Sequence, residues 1–146
     1  MVASATLRRR RLGYLALAAA TTLLGLASRR YAAWLPAWVP LYAGDVLWAL
    51  LVYWLVRMLR PAGAAGRAAL LAGGWALATE LSQLATWPWL VALRHTWWGK
   101  LVLGQGFLAS DLLCYALGIG LGLALEANWW PRPGRPENSS APVNGA

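Results

Sequence analysis

The stretch PLYAGDVLWALLVYWLVRML, residues 40–59, is almost uninterrupted in apolar side chains and has the length of a membrane-spanning helix. At a rise of about 1.5 Å per residue, about 20 apolar residues cross the roughly 30 Å hydrocarbon core of a bilayer. A soluble protein of 146 residues would need a polar surface, yet 60% of this chain is hydrophobic and only 12% is charged. The stretch therefore predicts a chain embedded in a membrane.

Three further apolar segments occur along the chain, at residues 12–28, 68–87 and 107–125. Each is rich in leucine and alanine and lacks the alternating pattern of a membrane β-strand. Because lipid cannot satisfy backbone hydrogen-bonding groups, a spanning segment of this kind must be helical. The predicted fold is an all-α membrane protein built as a four-helix transmembrane bundle.

The four segments divide the chain into three parts. Residues 12–126 form the predicted transmembrane domain, and residues 1–11 form a basic cytoplasmic N-terminus. Residues 127–146 are rich in Pro, Gly, Ser and Asn, which predicts a disordered cytoplasmic tail. Between the third and fourth helices, residues 88–106 are too few to cross a membrane and too apolar for a free loop. This link is predicted to be an interfacial or re-entrant segment on the outer face.

The basic residues predict the orientation. The chain carries 13 Lys and Arg and a formal net charge of +8, and such residues favour the cytoplasmic side of a membrane. On one side of the bundle lie Arg8, Arg9, Arg10, Arg11, Arg57, Arg60, Arg67, Arg132 and Arg135. On the other side lie Arg29, Arg30, Arg94 and Lys100. Both termini are therefore predicted to be cytoplasmic. The excess of Arg over Lys is typical of a GC-rich bacterial genome.

The composition argues against several kinds of site. One cysteine, Cys114, and one histidine, His95, cannot form a multi-residue metal site. The chain has no phosphate-binding glycine loop, HExxH motif or nucleophile elbow, so no cofactor is predicted. Nucleic acid is excluded as a partner because the basic residues flank apolar segments and do not form a basic face with interleaved aromatics. Membrane lipids are the predicted partners.

Three of the five acidic residues, Asp45, Glu80 and Asp111, lie inside predicted spans. Asp45 and Asp111 fall in the first turns of inward-running segments. Glu80 falls about seven residues before the outer end of the third segment, roughly 10 Å at helical rise. All three acids therefore lie in the outer half of the membrane, where a carboxylate requires a partner or a wet cavity. This coincidence predicts an outward-facing acidic pocket, with Glu80 as the candidate catalytic residue.

Other polar residues near the three acids are candidates for the same pocket. They are Gln83, Arg94, Gln105 and Ser110. Gln83 follows Glu80 by one helical turn. Arg94, like Arg29 and Arg30, is a candidate cation, since a guanidinium binds a carboxylate through two hydrogen bonds. In the structural alternative, the acids form interhelical ion pairs, and the two aspartates favour the positive ends of their helices.

The spacing of Gly118 and Gly122 in the fourth segment favours close approach of another helix, either within the chain or in an oligomer. The sequence does not decide between these two arrangements, and it does not determine an oligomeric state.

Four short motifs follow one another along the chain: YAGDVLWAL at 42–50, ELSQL at 80–84, LGQGF at 103–107 and SDL at 110–112. This set, over roughly residues 11–126, resembles the bacterial family of unknown function numbered 2809. The resemblance implies a small multi-pass inner-membrane protein of unknown activity. More distantly, the topology and the outward-facing polar residues resemble VanZ-like proteins, which are linked to glycopeptide resistance.

Three functions fit these observations. The first is a binding or accessory role in the cell envelope, in which the pocket recognises an envelope lipid, a small cation or a partner helix. The second is an enzyme for a lipid-linked substrate, with Glu80 as general acid or base, an aspartate assisting and Arg94 holding a phosphate. The third is a proton-coupled transporter, which is less favoured because the inner half of the spans has no polar residue apart from Arg57.

Overall fold

A computed structural model describes residues 2–96, 98–99 and 109–129 of the chain. Within these residues all regular structure is helical, and no strand occurs. The helices are α1 (Val2–Arg30), α2 (Trp38–Leu59), α3 (Ala65–Ser82), α4 (Pro88–His95) and α5 (Ala109–Trp129). A single 3-10 turn, Ala32–Trp34, lies between α1 and α2. The predicted all-helical class is confirmed.

Three of the described helices are long and apolar enough to cross a membrane: Ser4–Arg30 of α1, Trp38–Leu59 of α2 and Ser110–Trp129 of α5. The third predicted span, α3, is not among them, because Arg67 and Glu80 lie within its 18 residues and lower its hydropathy. The four-span bundle therefore stays a prediction. The short helix α4 has eight residues, so at helical rise it extends only about 12 Å.

Helix α2 lies at the centre of the fold and packs against α1, α3 and α5, and α3 also packs against α5. The buried residues of α2 recur every three to four positions, as expected for one helix face: they are Ala49, Leu50, Tyr53, Trp54 and Arg57. The rings of Tyr53 and Trp54 meet edge to face with centroids 5.1 Å apart, and Trp54 stacks on Tyr14 of α1 at 6.1 Å. Each such pair contributes about 0.5–1.5 kcal/mol beyond its buried area.

The glycines of α5 allow it to approach α2 closely. A Cβ atom at Gly118 would overlap the carbonyl oxygen of Val46, and one at Gly122 would lie 2.6 Å from Cδ1 of Tyr53. By contrast, a Cβ at Gly120 would meet no atom within 4 Å. The predicted role of Gly118 and Gly122 in helix contact is confirmed, and the contacting helix belongs to the same chain.

Helix α3 ends earlier than the apolar pattern predicts. The backbone N–H groups of Gln83, Leu84 and Ala85 donate to carbonyls three residues earlier, which tightens the chain into a turn after Ser82. Trp87 is extended before Pro88, as proline requires of its predecessor. Glu80 therefore lies in the last turn of α3 and not about seven residues before the end of the helix.

The other boundaries also shift. The basic residues of the predicted N-terminus, 1–11, are helical from Val2 onward and continue directly into the apolar part of α1. Helix α5 reaches Trp129, so the first residues of the predicted tail, 127–129, are helical. The rest of the tail, 130–146, lies outside the described residues. So do residues 97 and 100–106 of the predicted interfacial or re-entrant link, and residues 107–108 of the fourth predicted segment.

Candidate functional site

The three acids predicted from the sequence lie at one end of the bundle, on three different helices. Asp45 is near the start of α2, Asp111 is in the first turn of α5, and Glu80 is in the last turn of α3. The Asp45 carboxylate interacts electrostatically with those of Asp111 and Glu80, and also with the Arg29 guanidinium. We call Asp45, Glu80 and Asp111 the acid cluster. Antiparallel helix order brings its members to the same end.

Glu80 is the most deeply buried member, with none of its surface exposed. Its Oε2 atom accepts a hydrogen bond of 3.1 Å from the Tyr115 hydroxyl and one of 3.2 Å from Nε2 of Gln83. Glu80 is buried because it continues the small-residue stripe of Ala72 and Ala76, spaced every four residues along α3. Glu80 and Gln83, which lie one helical turn apart, are thus joined by a hydrogen bond.

Tyr115 is a member of this site that sequence reasoning missed. Its ring packs against Trp48 of α2 with centroids 5.4 Å apart, which holds the hydroxyl toward Glu80. A signal was available, because Tyr115 follows Asp111 by four residues and therefore lies on the same face of α5.

The remaining predicted site residues are placed in different ways. The Ser110 hydroxyl donates to Oδ1 of Asp111 at 3.3 Å, so these neighbours are joined. The Arg94 guanidinium donates to the backbone carbonyls of Ser82 and Ala85, and thereby ties α4 to the turn after α3. Arg94 therefore binds backbone where a carboxylate was expected. Gln105 lies outside the described residues.

Arg29 is the basic residue that approaches the acid cluster from α1. Its guanidinium lies against the first turns of α2, where a Cβ atom at Gly44 would be 3.5 Å from Nη2. The absence of a side chain at Gly44 leaves the space that the guanidinium uses. Arg29 and Asp45 attract each other electrostatically but do not form a direct ion pair.

A second polar cluster lies at the opposite end of the bundle, about 18 Å away along α2 at helical rise. It consists of Tyr14, Tyr53, Arg57 and Glu126, which we call the Glu126 cluster. Nε and Nη2 of Arg57 bind the two carboxylate oxygens of Glu126 at 2.8 and 2.5 Å. The hydroxyls of Tyr53 and Tyr14 donate to the same carboxylate at 2.5 and 3.0 Å. Only 2% of Arg57 and 7% of Glu126 is exposed.

The third nitrogen of Arg57, Nη1, donates to the carbonyls of Arg60 and Gly63 at 3.2 and 2.7 Å. These carbonyls belong to the turn between α2 and α3. The guanidinium also lies over the Tyr14 ring, 5.2 Å from its centroid, in a cation–π contact. The cluster therefore joins α1, α2, α5 and the turn between α2 and α3. Its charged groups are already paired with each other, so the arrangement indicates a structural role.

Sequence reasoning missed the Glu126 cluster. From the sequence alone, Arg57 is one of the basic residues that predict orientation and Glu126 has no role, whereas both side chains are buried. The spacing carried a signal: Arg57 follows the buried Tyr53 by four residues, and Glu126 follows the buried Gly122 by four. Each charge therefore continues the buried face of its helix.

The family model "Protein of unknown function (DUF2809)" matches residues 34–119, more than half of the chain. The chain belongs to the DUF2809 family. The matched range contains the whole acid cluster together with Tyr115. Within the Glu126 cluster it contains Tyr53 and Arg57, while Tyr14 and Glu126 lie outside it. No solved structure matches the chain. The likeness to VanZ-like proteins stays a prediction.

Proposed function

We propose that this DUF2809 protein is a multi-pass protein of a bacterial inner membrane that binds an organic ammonium group at the acid cluster. The observation that carries the proposal is the position of Asp45, half-buried near the start of α2, within electrostatic range of the Asp111 carboxylate of α5 and of the Arg29 guanidinium. Carboxylates in a membrane interior are costly unless a cation, a proton or water accompanies them. Within the described part of the chain, Asp45 and Asp111 place two negative charges near the positive charge of Arg29, and this imbalance favours a cationic ligand.

The kind of cation follows from the spacing of the acids. Among the described residues, no three side chains of His, Cys, Asp or Glu are close enough to hold one metal ion. An ammonium group on a larger molecule needs no such convergence, because it can donate to carboxylates that are further apart. A binding or accessory role in the envelope is the function that this arrangement supports best.

The proposed topology has four spans, with α3 as the fourth, and both termini in the cytoplasm. Helix α3 packs between α2 and α5, and its 18 residues extend about 27 Å at helical rise. The orientation rests on the excess of Arg at the end of the bundle that carries the Glu126 cluster, and the excess persists when the buried Arg57 is not counted. Exposed tryptophans at both ends support head-group contact: they are Trp34, Trp38, Trp87, Trp89 and Trp129.

The two other functions have less support. An enzyme with Arg94 holding a phosphate is disfavoured because the Arg94 guanidinium donates to backbone carbonyls. A proton-coupled transporter would need a polar path between the two clusters. The core between them contains Leu50, Trp54 and Ala72, and the buried Thr21 and Thr79 donate to carbonyls of their own helices.

Retention of two lipids with identical acyl chains, phosphatidylethanolamine and phosphatidylglycerol, tests the ammonium site. The wild-type protein in detergent should retain the ethanolamine lipid about tenfold more strongly in native mass spectrometry, a preference of about 1.4 kcal/mol. Asp45→Asn and Asp111→Asn should remove the preference. Glu137→Gln, which removes the same charge from the tail segment, is the matched control and should keep it. Equal retention of the two lipids by the wild type would refute the ammonium site.

A further inference from the structure

A long groove runs along the outside of α2, between α1 and α3. Its volume is about 880 Å³, within the range of about 300–1,000 Å³ typical of small-molecule sites. Along α2 and the residue that follows it, the groove extends from Gly44 to Arg60, which corresponds to about 24 Å at helical rise. The groove is therefore long and runs parallel to the helices, close to the roughly 30 Å thickness of a hydrocarbon core.

The walls of the groove are apolar. Leu47, Leu51 and Leu55 of α2 face Leu26 of α1 and Trp75 of α3 across it. The two threonines that line it, Thr21 and Thr22, donate their hydroxyls to carbonyls of α1 one turn earlier, at 2.8 and 2.9 Å. Their hydroxyl protons are therefore already used within α1. A flexible hydrocarbon chain fits such a surface better than a polar molecule does.

The mouth of the groove next to the acid cluster is lined by the basic Arg29, and the acidic Asp45 lies beside the lining residues. Arg29 and Gly44 line this mouth, and Asp45 follows Gly44 directly in the chain. The Arg29 guanidinium and the Asp45 carboxylate attract each other without a direct ion pair, so a ligand with one anionic and one cationic group can bridge them. A guanidinium is well suited to a phosphate, and a carboxylate is suited to an ammonium.

We propose that the groove holds an acyl chain of an aminophospholipid, with the lipid phosphate at Arg29 and its ammonium at Asp45 of the acid cluster. This inference rests on the proposed ammonium site and adds the class of its ligand. The charge order at the mouth selects a zwitterionic head group, because the Asp45 carboxylate attracts the ammonium of such a lipid and repels the anionic head group of a lipid without an amine. The apolar walls select a lipid over a water-soluble amine.

A glycine pair provides the test of the groove. Gly25 lines the groove, and a Cβ atom there would meet no atom within 4 Å, so Gly25→Leu projects a side chain into the space for the acyl chain. Gly74, on an exposed part of α3, has the same open surroundings and does not line the groove, so Gly74→Leu is the matched control. In native mass spectrometry, Gly25→Leu should lower retention of added phosphatidylethanolamine about tenfold, and Gly74→Leu should leave it unchanged.

An arginine pair tests the position of the head group. Arg29→Gln should weaken retention of phosphatidylethanolamine and of phosphatidylglycerol alike, because both carry a phosphate. Arg60→Gln, at the other end of the groove, should change neither. If Arg60→Gln has the larger effect, or if Gly25→Leu retains the lipid as well as Gly74→Leu, the proposed placement is wrong.

The two proposals fail in different ways. If the wild type prefers phosphatidylethanolamine and Asp45→Asn removes the preference, but Gly25→Leu and Arg29→Gln have no effect, the ammonium site stands and the groove is not the chain site. If the wild type shows no preference between the two lipids, the ammonium site is refuted, and the aminophospholipid assignment falls with it.

Discussion

Arg57 and Glu126, 69 residues apart in the chain, form a bidentate ion pair that is almost wholly buried. Tyr14 and Tyr53 complete the coordination of the carboxylate, and the turn between α2 and α3 takes the remaining nitrogen of the guanidinium. Because each charge has its partners, the network links α1, α2 and α5. It fixes the rotation of each helix about its axis and its position along the others. Removal of either partner leaves the other buried and uncompensated.

Glu126→Ala should destabilise the protein by about 3–5 kcal/mol, because Arg57 then carries a buried charge with no carboxylate. Denaturant unfolding in detergent micelles, followed by tryptophan fluorescence, measures the loss. The double variant Arg57→Met/Glu126→Leu removes both charges and should recover most of the stability, since a well-packed apolar pair is often as stable as a buried ion pair. A double variant less stable than Glu126→Ala would show that the uncompensated charge of Arg57 is not the cause of the loss.

Tyr53→Phe should cost about 1.5–3 kcal/mol, the usual range for a hydrogen bond to a charged group. The Tyr53 hydroxyl donates to Glu126 at 2.5 Å, and phenylalanine keeps the ring that packs on Trp54. Tyr31→Phe is the control, since Tyr31 is exposed at the end of α1 and should tolerate the change within about 0.5 kcal/mol. Equal unfolding midpoints for the two variants would show that the short hydrogen bond does not stabilise the fold.

Gly122→Ala should destabilise the protein by about 1–3 kcal/mol, because the new methyl group would lie 2.6 Å from the Tyr53 ring and force α5 away from α2. Gly120→Ala, two residues earlier, has open space and should be neutral or stabilising by about 0.4–1 kcal/mol. Thermal unfolding of the two variants side by side provides the comparison. If Gly120→Ala is the more damaging change, the close α2–α5 contact is not the reason for glycine here.

Cysteine labelling tests the proposed orientation. In a Cys114→Ser background, Trp34→Cys lies in the exposed turn between α1 and α2, and Ala62→Cys lies in the exposed turn between α2 and α3. A membrane-impermeant maleimide should label position 34 in intact spheroplasts and position 62 only after permeabilisation. Labelling in the reverse order would place both termini outside. The native thiol of Cys114 is free, so its replacement removes no disulfide.

Part of the candidate site could be predicted without tertiary information. The depth of an acid follows from its position within an apolar segment, so Asp45, Glu80 and Asp111 were expected at one level. The direction in which each side chain points from its helix could not be predicted, because it depends on which face each helix buries. Tyr115 was missed for this reason, and Arg94 was misassigned because the turn after α3 forms earlier than the apolar pattern indicates.

The sequence by itself determined that the chain is helical, apolar and built from segments of membrane-spanning length, because hydropathy and helix length are properties of contiguous residues. It also determined the family, through motifs that lie within residues 34–119. Only the tertiary structure decided that Arg57 and Glu126 are partners and that Arg29 stands at the mouth of a groove. The partner of a charge depends on the packing of distant helices against one another, and no local pattern specifies that packing.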